Sequence, residues 1–137
     1  MAKKRINSKT KGSSYEREIA KLFRELGFEH CKTSRQARRL LDDSKIDLAL
    51  VPYNIQCKRG YAKAQPKYNE VFAEMTELLA KNFPKTDLQH NYPKILFHKI
   101  DGKKPENHVV SMPFNDFMII FKGFLDFGKT LEKQLNK

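Results

Sequence analysis

Two short apolar runs on either side of a three-residue turn constrain this chain more than any other feature. Residues 46–51 (IDLALV) and 55–59 (IQCKR) flank Pro52-Tyr53-Asn54, and Gly60 closes the second run. Each run is too short for a stable helix and is bounded by turn residues, which is the pattern of strands. So short a connection predicts a β-hairpin. A two-stranded hairpin is not stable alone in water, so other elements must cover it.

Helical periodicity supplies the cover. Tyr15, Ile19, Leu22, Phe23 and Leu26 recur at helical intervals. The capping-box spacing of Ser13 and Glu16 predicts a start at Ser13, and Gly27 is a natural stop. A second helix is expected from Pro66 to about Asn82, with Tyr68, Val71, Phe72, Met75, Leu78 and Leu79 as its apolar stripe. Residues 28–33, 94–100 and 108–112 read as further strands, with a turn at Asp101-Gly102. Residues 34–45 read as a polar, basic connection with room for a helical turn. A third, very apolar helix is expected over 113–127, extended by the polar tail KTLEKQLNK. The order α-β-β-β-α-β-β-α places the chain in the α/β class, as a small mixed sheet with helices packed on it.

A length of 137 residues suits one domain. Residues 1–12 hold five basic residues and no acid, and read as a flexible basic arm ahead of a single domain over 13–137. Lys plus Arg is 27 and Asp plus Glu is 16, a net charge of +11; residues 1–39 carry +8 of it and residues 40–137 the remaining +3. A basic pole of this kind favours a polyanion, of which nucleic acid is the commonest. An anionic membrane surface and a basic protein without a polyanion partner are the rival readings.

Other classes are excluded by what the chain lacks. Cys31 and Cys57 are its two cysteines, too few for a disulfide framework or a four-cysteine zinc site. His30, His90, His98 and His108 show no HExxH spacing. His90-Asn91 followed by His98 lacks the Asp-Gly-Cys-rich context of an HNH nuclease. There is no P-loop, no GxGxxG and no GxSxG. No apolar run approaches the ~20 residues of a membrane span, and no apolar segment follows the basic N-terminus as in a secretory signal. A cytoplasmic, nucleoid-associated protein of a bacterial, archaeal or phage-infected cell, with no membrane partner, is the expectation.

The chemistry concentrates in the expected hairpin. Alternation along a strand turns Ile55, Cys57 and Arg59 one way and Gln56 and Lys58 the other. Asp47 lies on the preceding strand between Ile46 and Leu48, where a carboxylate is costly unless it is paired or bound to metal. Asp47, the amide oxygen of Gln56 and the ammonium of Lys58 can converge across the hairpin. A carboxylate and neutral oxygens suit Mg²⁺, a hard cation, and the lysine suits an attacking water and a developing charge on phosphorus. That set fits phosphodiester hydrolysis. A plain Asp47–Lys58 cross-strand ion pair is the bland alternative, and Glu16 as a simple capping acid is another.

The pattern D-(x)8-Q-x-K, following a helix that carries Glu16, resembles the PD-(D/E)xK nuclease superfamily. The run Lys11-Gly12-Ser13-Ser14-Tyr15-Glu16-Arg17-Glu18, with Gly27-Phe28 after it, is similar to the opening of archaeal-type Holliday junction resolvases. The resemblance covers about residues 11–60. It implies a restriction-endonuclease-like core in which Glu16, Asp47 and Lys58 match the catalytic Glu, Asp and Lys. It adds the backbone carbonyl of Cys57 as a further ligand of Mg²⁺, with Mn²⁺ as a substitute. Gln56 stands where the family usually has Glu, a variant style known from Mrr-type restriction enzymes, and it removes one negative charge from the site. The Ser-Gly-rich stretch expected before the Asp is replaced by Arg35, Arg38 and Arg39 with Asp42 and Asp43.

The expected activity is a metal-dependent, structure-selective DNA endonuclease acting on four-way junctions in recombination and repair. The alternatives are a Mrr-like or repair endonuclease of ordinary duplex and a catalytically inactive DNA-binding module. Lys9, Lys11, Arg17, Arg35, Arg38, Arg39 and Arg59 are the expected phosphate contacts. Phe114, Phe117, Phe121 and Phe124 recur at spacings of 3, 4 and 3. A helix so apolar calls for burial on two sides, one against its own sheet and the other against a second subunit, which makes a homodimer through the C-terminal helix the expected assembly. A wholly intramolecular core helix is the alternative.

Overall fold

The computed structural model describes residues 8–60, 65–100 and 102–136. The protein is a mixed α/β structure with two small sheets. Helix α1, Ser8–Glu25, leads into strand β1, Lys32–Thr33. Two short helices follow, α2 at Ser34–Ala37 and α3 at Arg39–Asp43, and then strand β2 at Leu48–Ala49 and strand β3 at Asn54–Arg59. Helix α4, Tyr68–Asn82, and the short α5, Leu88–Asn91, lead to β4, Lys94–Lys99. A 3₁₀ turn at Pro105–Asn107 precedes β5, Val109–Ser111, and α6, Phe114–Leu135, is the last element. No helix among the described residues is long and apolar enough to cross a membrane.

Helix α1 begins at Ser8 rather than Ser13. Residues 8–12 of the expected arm are therefore helical, and residues 1–7 lie outside the described residues. The reason is local: a spacing of three is also a same-face spacing inside a helix, and the lysines before Gly12 are good helix formers. Ser13 is thus no N-cap, and Glu16 sits in the third turn rather than the first. The C-terminus ends as Gly27 predicts. Gly27 takes a left-handed φ of 117°, its N–H donates to the Arg24 carbonyl, and the Phe28 N–H reaches back to the Phe23 carbonyl at 3.0 Å. The rings of Phe23 and Phe28 then meet at 5.9 Å, the apolar contact that accompanies such a cap.

The expected hairpin does not form. Strand β2 pairs antiparallel with β1, Lys32 opposite Ala49 and Thr33 opposite Leu48. Strand β3 pairs along its full length with β4, and in parallel, from Asn54 opposite Lys94 to Arg59 opposite Lys99. Strand β5 closes the second sheet antiparallel to β4. A parallel pair needs a long crossover, which α4 and α5 provide. The start of β3 is tied to that crossover by Asn54, whose amide donates to the carbonyls of Gln89 and Tyr92 and accepts from the Gln89 side chain.

Two cores result. Tyr15, Ile19, Ala20 and Phe23 of α1 pack on Leu48, Ile55, Cys57 and Ile95. Met75 and Leu79 of α4, with Phe83, pack on Leu41, Ile46 and Ala49. Leu48 and Ala49, adjacent in β2, thus serve opposite cores, as strand alternation requires. Helix α6 departs from expectation. It contains no buried residue, and Phe114, Phe124 and Phe127 are exposed. Its own sheet does not cover one side of it, nor is it an intramolecular core helix. Ile120 packs against the α1 core, and Asp116 accepts from the Lys94 N–H and pairs with Lys94 Nζ at 3.6 Å.

Candidate active site

The two sheets meet at Asp47. Its N–H donates to the Ile55 carbonyl at 2.7 Å, and its carbonyl accepts from the Ser34 N–H at 2.8 Å. Its side-chain Oδ2 accepts from the Cys57 N–H at 2.7 Å. The Cys57 N–H is the group that a continued β2–β3 ladder would have paired with a backbone carbonyl. The carboxylate takes its place, so the strands part after one backbone bond. This is the physical reason the hairpin fails, and it fixes the carboxyl at the point of divergence.

Glu16 arrives from α1 and is buried. The Glu16 and Asp47 carboxyls share a hydrogen bond. Burial first, and the neighbouring Glu16 carboxyl second, push Asp47 from its ordinary 3.8 up to about 7; the Cys57 N–H and the Lys58 ammonium pull the other way. Glu16 is also raised, by burial above all, with Arg35 opposing. Two acids this close do not both ionise readily without a cation. Lys58 lies near enough to act on Asp47, yet no described ion pair joins the two. The plain cross-strand pair is therefore not what Asp47 makes.

Gln56 is buried, and its side-chain Oε1 has no hydrogen-bond partner. The Oγ of Ser34, whose N–H holds the Asp47 carbonyl, is likewise buried without a partner. An orphaned buried acceptor costs about 1–3 kcal/mol and calls for an explanation. In a strand a residue's N–H and C=O point to the same edge, so the Cys57 carbonyl faces the Asp47 side along with its N–H. Two carboxyls, an unpaired amide oxygen and a strand carbonyl are oxygens of the kind that could hold a divalent cation such as Mg²⁺. Among the described residues no group of three or more His, Cys, Asp or Glu side chains is gathered for a metal, so any ion here relies on the neutral oxygens. The Cys57 thiol, pushed well up by burial and by the two carboxyls, stays protonated.

The expected arginine stripe divides. Arg35 stays exposed but reaches toward the acids, its Nη2 4.0 Å from Glu16 and its Nε 3.6 Å from Asp42. Arg38 lies over the Phe83 ring at 5.0 Å, and Arg39 pairs with Asp43 at 3.9 Å on the surface. Arg17 is exposed and Arg59 half-buried. Lys9 and Lys11 fall within α1, and their side chains lie outside the described residues. Sequence reasoning gave Asp42 no part in the site, yet its charge raises both Glu16 and Asp47. It also missed His98, which the β3–β4 register sets beside Lys58 and whose Nε2–H donates to the Gly60 carbonyl at 3.1 Å. Neither had a local signal, because both reach the site by tertiary pairing.

Comparison of the chain with family models, curated proteins and solved structures gives no match. The functional reading therefore rests on the geometry and on the motif itself. The cavities of 420 and 610 Å³ are lined by other residues than Glu16, Asp47, Gln56 and Lys58.

Proposed function

We propose that this protein is a metal-dependent DNA endonuclease with a restriction-endonuclease-like core, and that four-way junctions are its preferred substrate. The observation that carries the reading is the meeting of Glu16 and Asp47 at the point where β2 leaves β3, with Lys58 acting on the same carboxyl. The basic pole of the chain suits a polyanion. The preference for junctions rests on the likeness of residues 11–28 to the resolvase opening.

Glu16, Asp47, the Gln56 Oε1 and the Cys57 carbonyl would hold Mg²⁺, or Mn²⁺ in its place. The ion would supply a water of lowered pKa and a counter-charge to a phosphate oxygen. The protein's residues do the rest. Glu16 and Asp47, both raised, would release their protons to solvent on holding the ion. The Cys57 N–H keeps Asp47 oriented, and Ser34 fixes its backbone. Lys58 orients the attacking water and stabilises negative charge as the new P–O bond forms. The attacking water gives up one proton to solvent, the old ester P–O bond breaks, and the departing alkoxide takes up a proton from solvent, leaving a phosphate monoester and a hydroxyl. A second reading, a DNA-binding module without catalysis, is favoured by one observation: the third acid of the usual set is Gln56.

The test is incubation of the protein with labelled four-way junction, matched duplex and single strand, with Mg²⁺ or with EDTA. Paired nicks on opposing junction strands, only with Mg²⁺, are expected. Equal cutting of duplex moves the protein to the duplex nucleases. Tight binding with no cutting in Mg²⁺ or Mn²⁺ moves it to the binding modules.

A further inference from the structure

Helix α6 carries a feature that the carboxyl site does not use. Phe114, Phe117, Phe121, Phe124, Gly128, Leu131 and Leu135 follow one another at spacings of 3, 4, 3, 4, 3 and 4. That is the a/d repeat of a coiled-coil seam, held through three heptads. All six large residues of the seam are exposed, from 39% at Phe121 to 84% at Leu135. No other described element packs extensively on the helix.

We infer that α6 pairs along this seam with α6 of a second copy of the chain. Three observations choose that occupant. The first is area. With about 150–250 Å² per aromatic side chain, the exposed apolar residues of α6 present on the order of 1,000 Å². That exceeds the largest patch of an ordinary monomer, about 300–600 Å². It also meets the ~800 Å² per partner of a stable interface.

The second is shape. Nothing lies within 4 Å of where a Gly128 side chain would begin, so the seam has an open notch in line with its phenylalanines. Knobs-into-holes packing needs a ring to enter such a notch, and α6 itself offers the rings, with Phe117 and Phe121 already stacked at 5.4 Å. Knob and hole on one helix make the face self-complementary, as a two-fold interface requires. The third is charge. Lys122, Lys129 and Lys133 are balanced by Asp116, Asp126 and Glu132. In a chain of net +11, the helix that would have to lie on an anionic lipid surface is the neutral one, whereas lipid-bound helices carry a basic polar face.

The inference goes beyond the nuclease reading and stands without it. Sedimentation velocity of the full chain at micromolar concentration is expected to show a dimer. Phe124→Asp, on the seam, should raise the dissociation constant at least 100-fold with helical content unchanged, because Phe124 is exposed in the fold. Ile119→Asp, equally on the surface but off the seam, should leave the dimer intact, which separates pairing from a general effect of charge. A wild type that stays monomeric at tens of micromolar overturns the inference. So does a dimer indifferent to Phe124→Asp, or one broken equally by Ile119→Asp. A monomer that instead floats with phosphatidylglycerol-rich vesicles overturns it in favour of a lipid surface.

Discussion

At Asp47, four polar contacts converge on one residue, whereas α6 runs for 22 residues with no buried side chain. The first region is over-determined: Ser34 of α2 and Ile55 of β3 hold the Asp47 backbone, while the Cys57 N–H and a second acid meet its carboxyl. The second is under-determined: its seam is fully formed, and no described residue buries it. Both break the ordinary rule of burial, one by setting a buried Glu16 against a half-buried Asp47 and the other by leaving phenylalanines outside. The contrast separates what a fold needs from what it is for. Buried apolar residues of α1 and α4 hold the structure, while the acid and the exposed helix are the features that the proposed ion and the proposed partner would use.

The largest effect should come from the region that only holds the fold. Phe83 is 1% exposed and packs in the α4 core, so Phe83→Ala should cost about 3–5 kcal/mol in urea denaturation. Ile119→Ala, on bare helix, should stay within about 0.5 kcal/mol. Equal losses would erase the distinction between supporting and unsupported apolar residues.

Next in size is the chemistry. Asp47→Ala and Lys58→Ala should each lower cleavage by about 10²–10³-fold, or about 2.7–4 kcal/mol of transition-state stabilisation. DNA binding in Ca²⁺ should survive both. Wild-type-like cutting by Asp47→Ala protein, purified free of host nucleases, would place the chemistry elsewhere. Gln56→Glu restores a charge and should tighten Mg²⁺ while leaving cleavage in place, as titration of the metal dependence would show.

The smallest effect concerns protons. Asp47 binds its proton more tightly in the fold than unfolded, about 7 against 3.8. Its contribution therefore favours the fold below about pH 4 and is lost as the pH rises to 7. In EDTA, stability should fall over that window with a slope of at most about 1.4 kcal/mol per pH unit from this group. Mg²⁺ should flatten the slope, and Asp47→Asn should abolish it while still accepting from the Cys57 N–H. A slope that is the same in Asp47→Asn protein would assign the titration to other groups.

The helices were legible in the sequence because their signals are local. Tyr15, Ile19 and Phe23, or Met75 and Leu79, carry a period that no tertiary contact needs to supply, and Gly27 marks its stop by its own backbone. The start of α1 was not, since Ser13 and Glu16 have the same spacing at a cap and inside a helix. The hairpin was misread because the partner of β3 is 40 residues away in β4, beyond the reach of any turn rule. Within the site, Asp47 stood out as an acid in an apolar run, and its meeting with Glu16 followed from the resemblance. The nearness of Asp42 and Arg35 to Glu16 depends on how α2 and α3 pack, which leaves no mark on either residue. The heptad of α6 was visible in its phenylalanines; that its own sheet leaves it bare was not.

The parallel pairing of β3 with β4 has a consequence for the order in which the molecule is built. The Asp47–Cys57 contact closes a loop of ten residues, a fast and entropically mild event. The β3–β4 ladder must wait for some 40 residues of crossover to fold back, and such non-local pairings are the slow ones. The acid is thus fastened to its strand before the sheet that encloses them exists. On a ribosome the same order is imposed by synthesis, because β4 emerges only after α4. The joint at Asp47 can therefore serve as an early nucleus on which the later strands align.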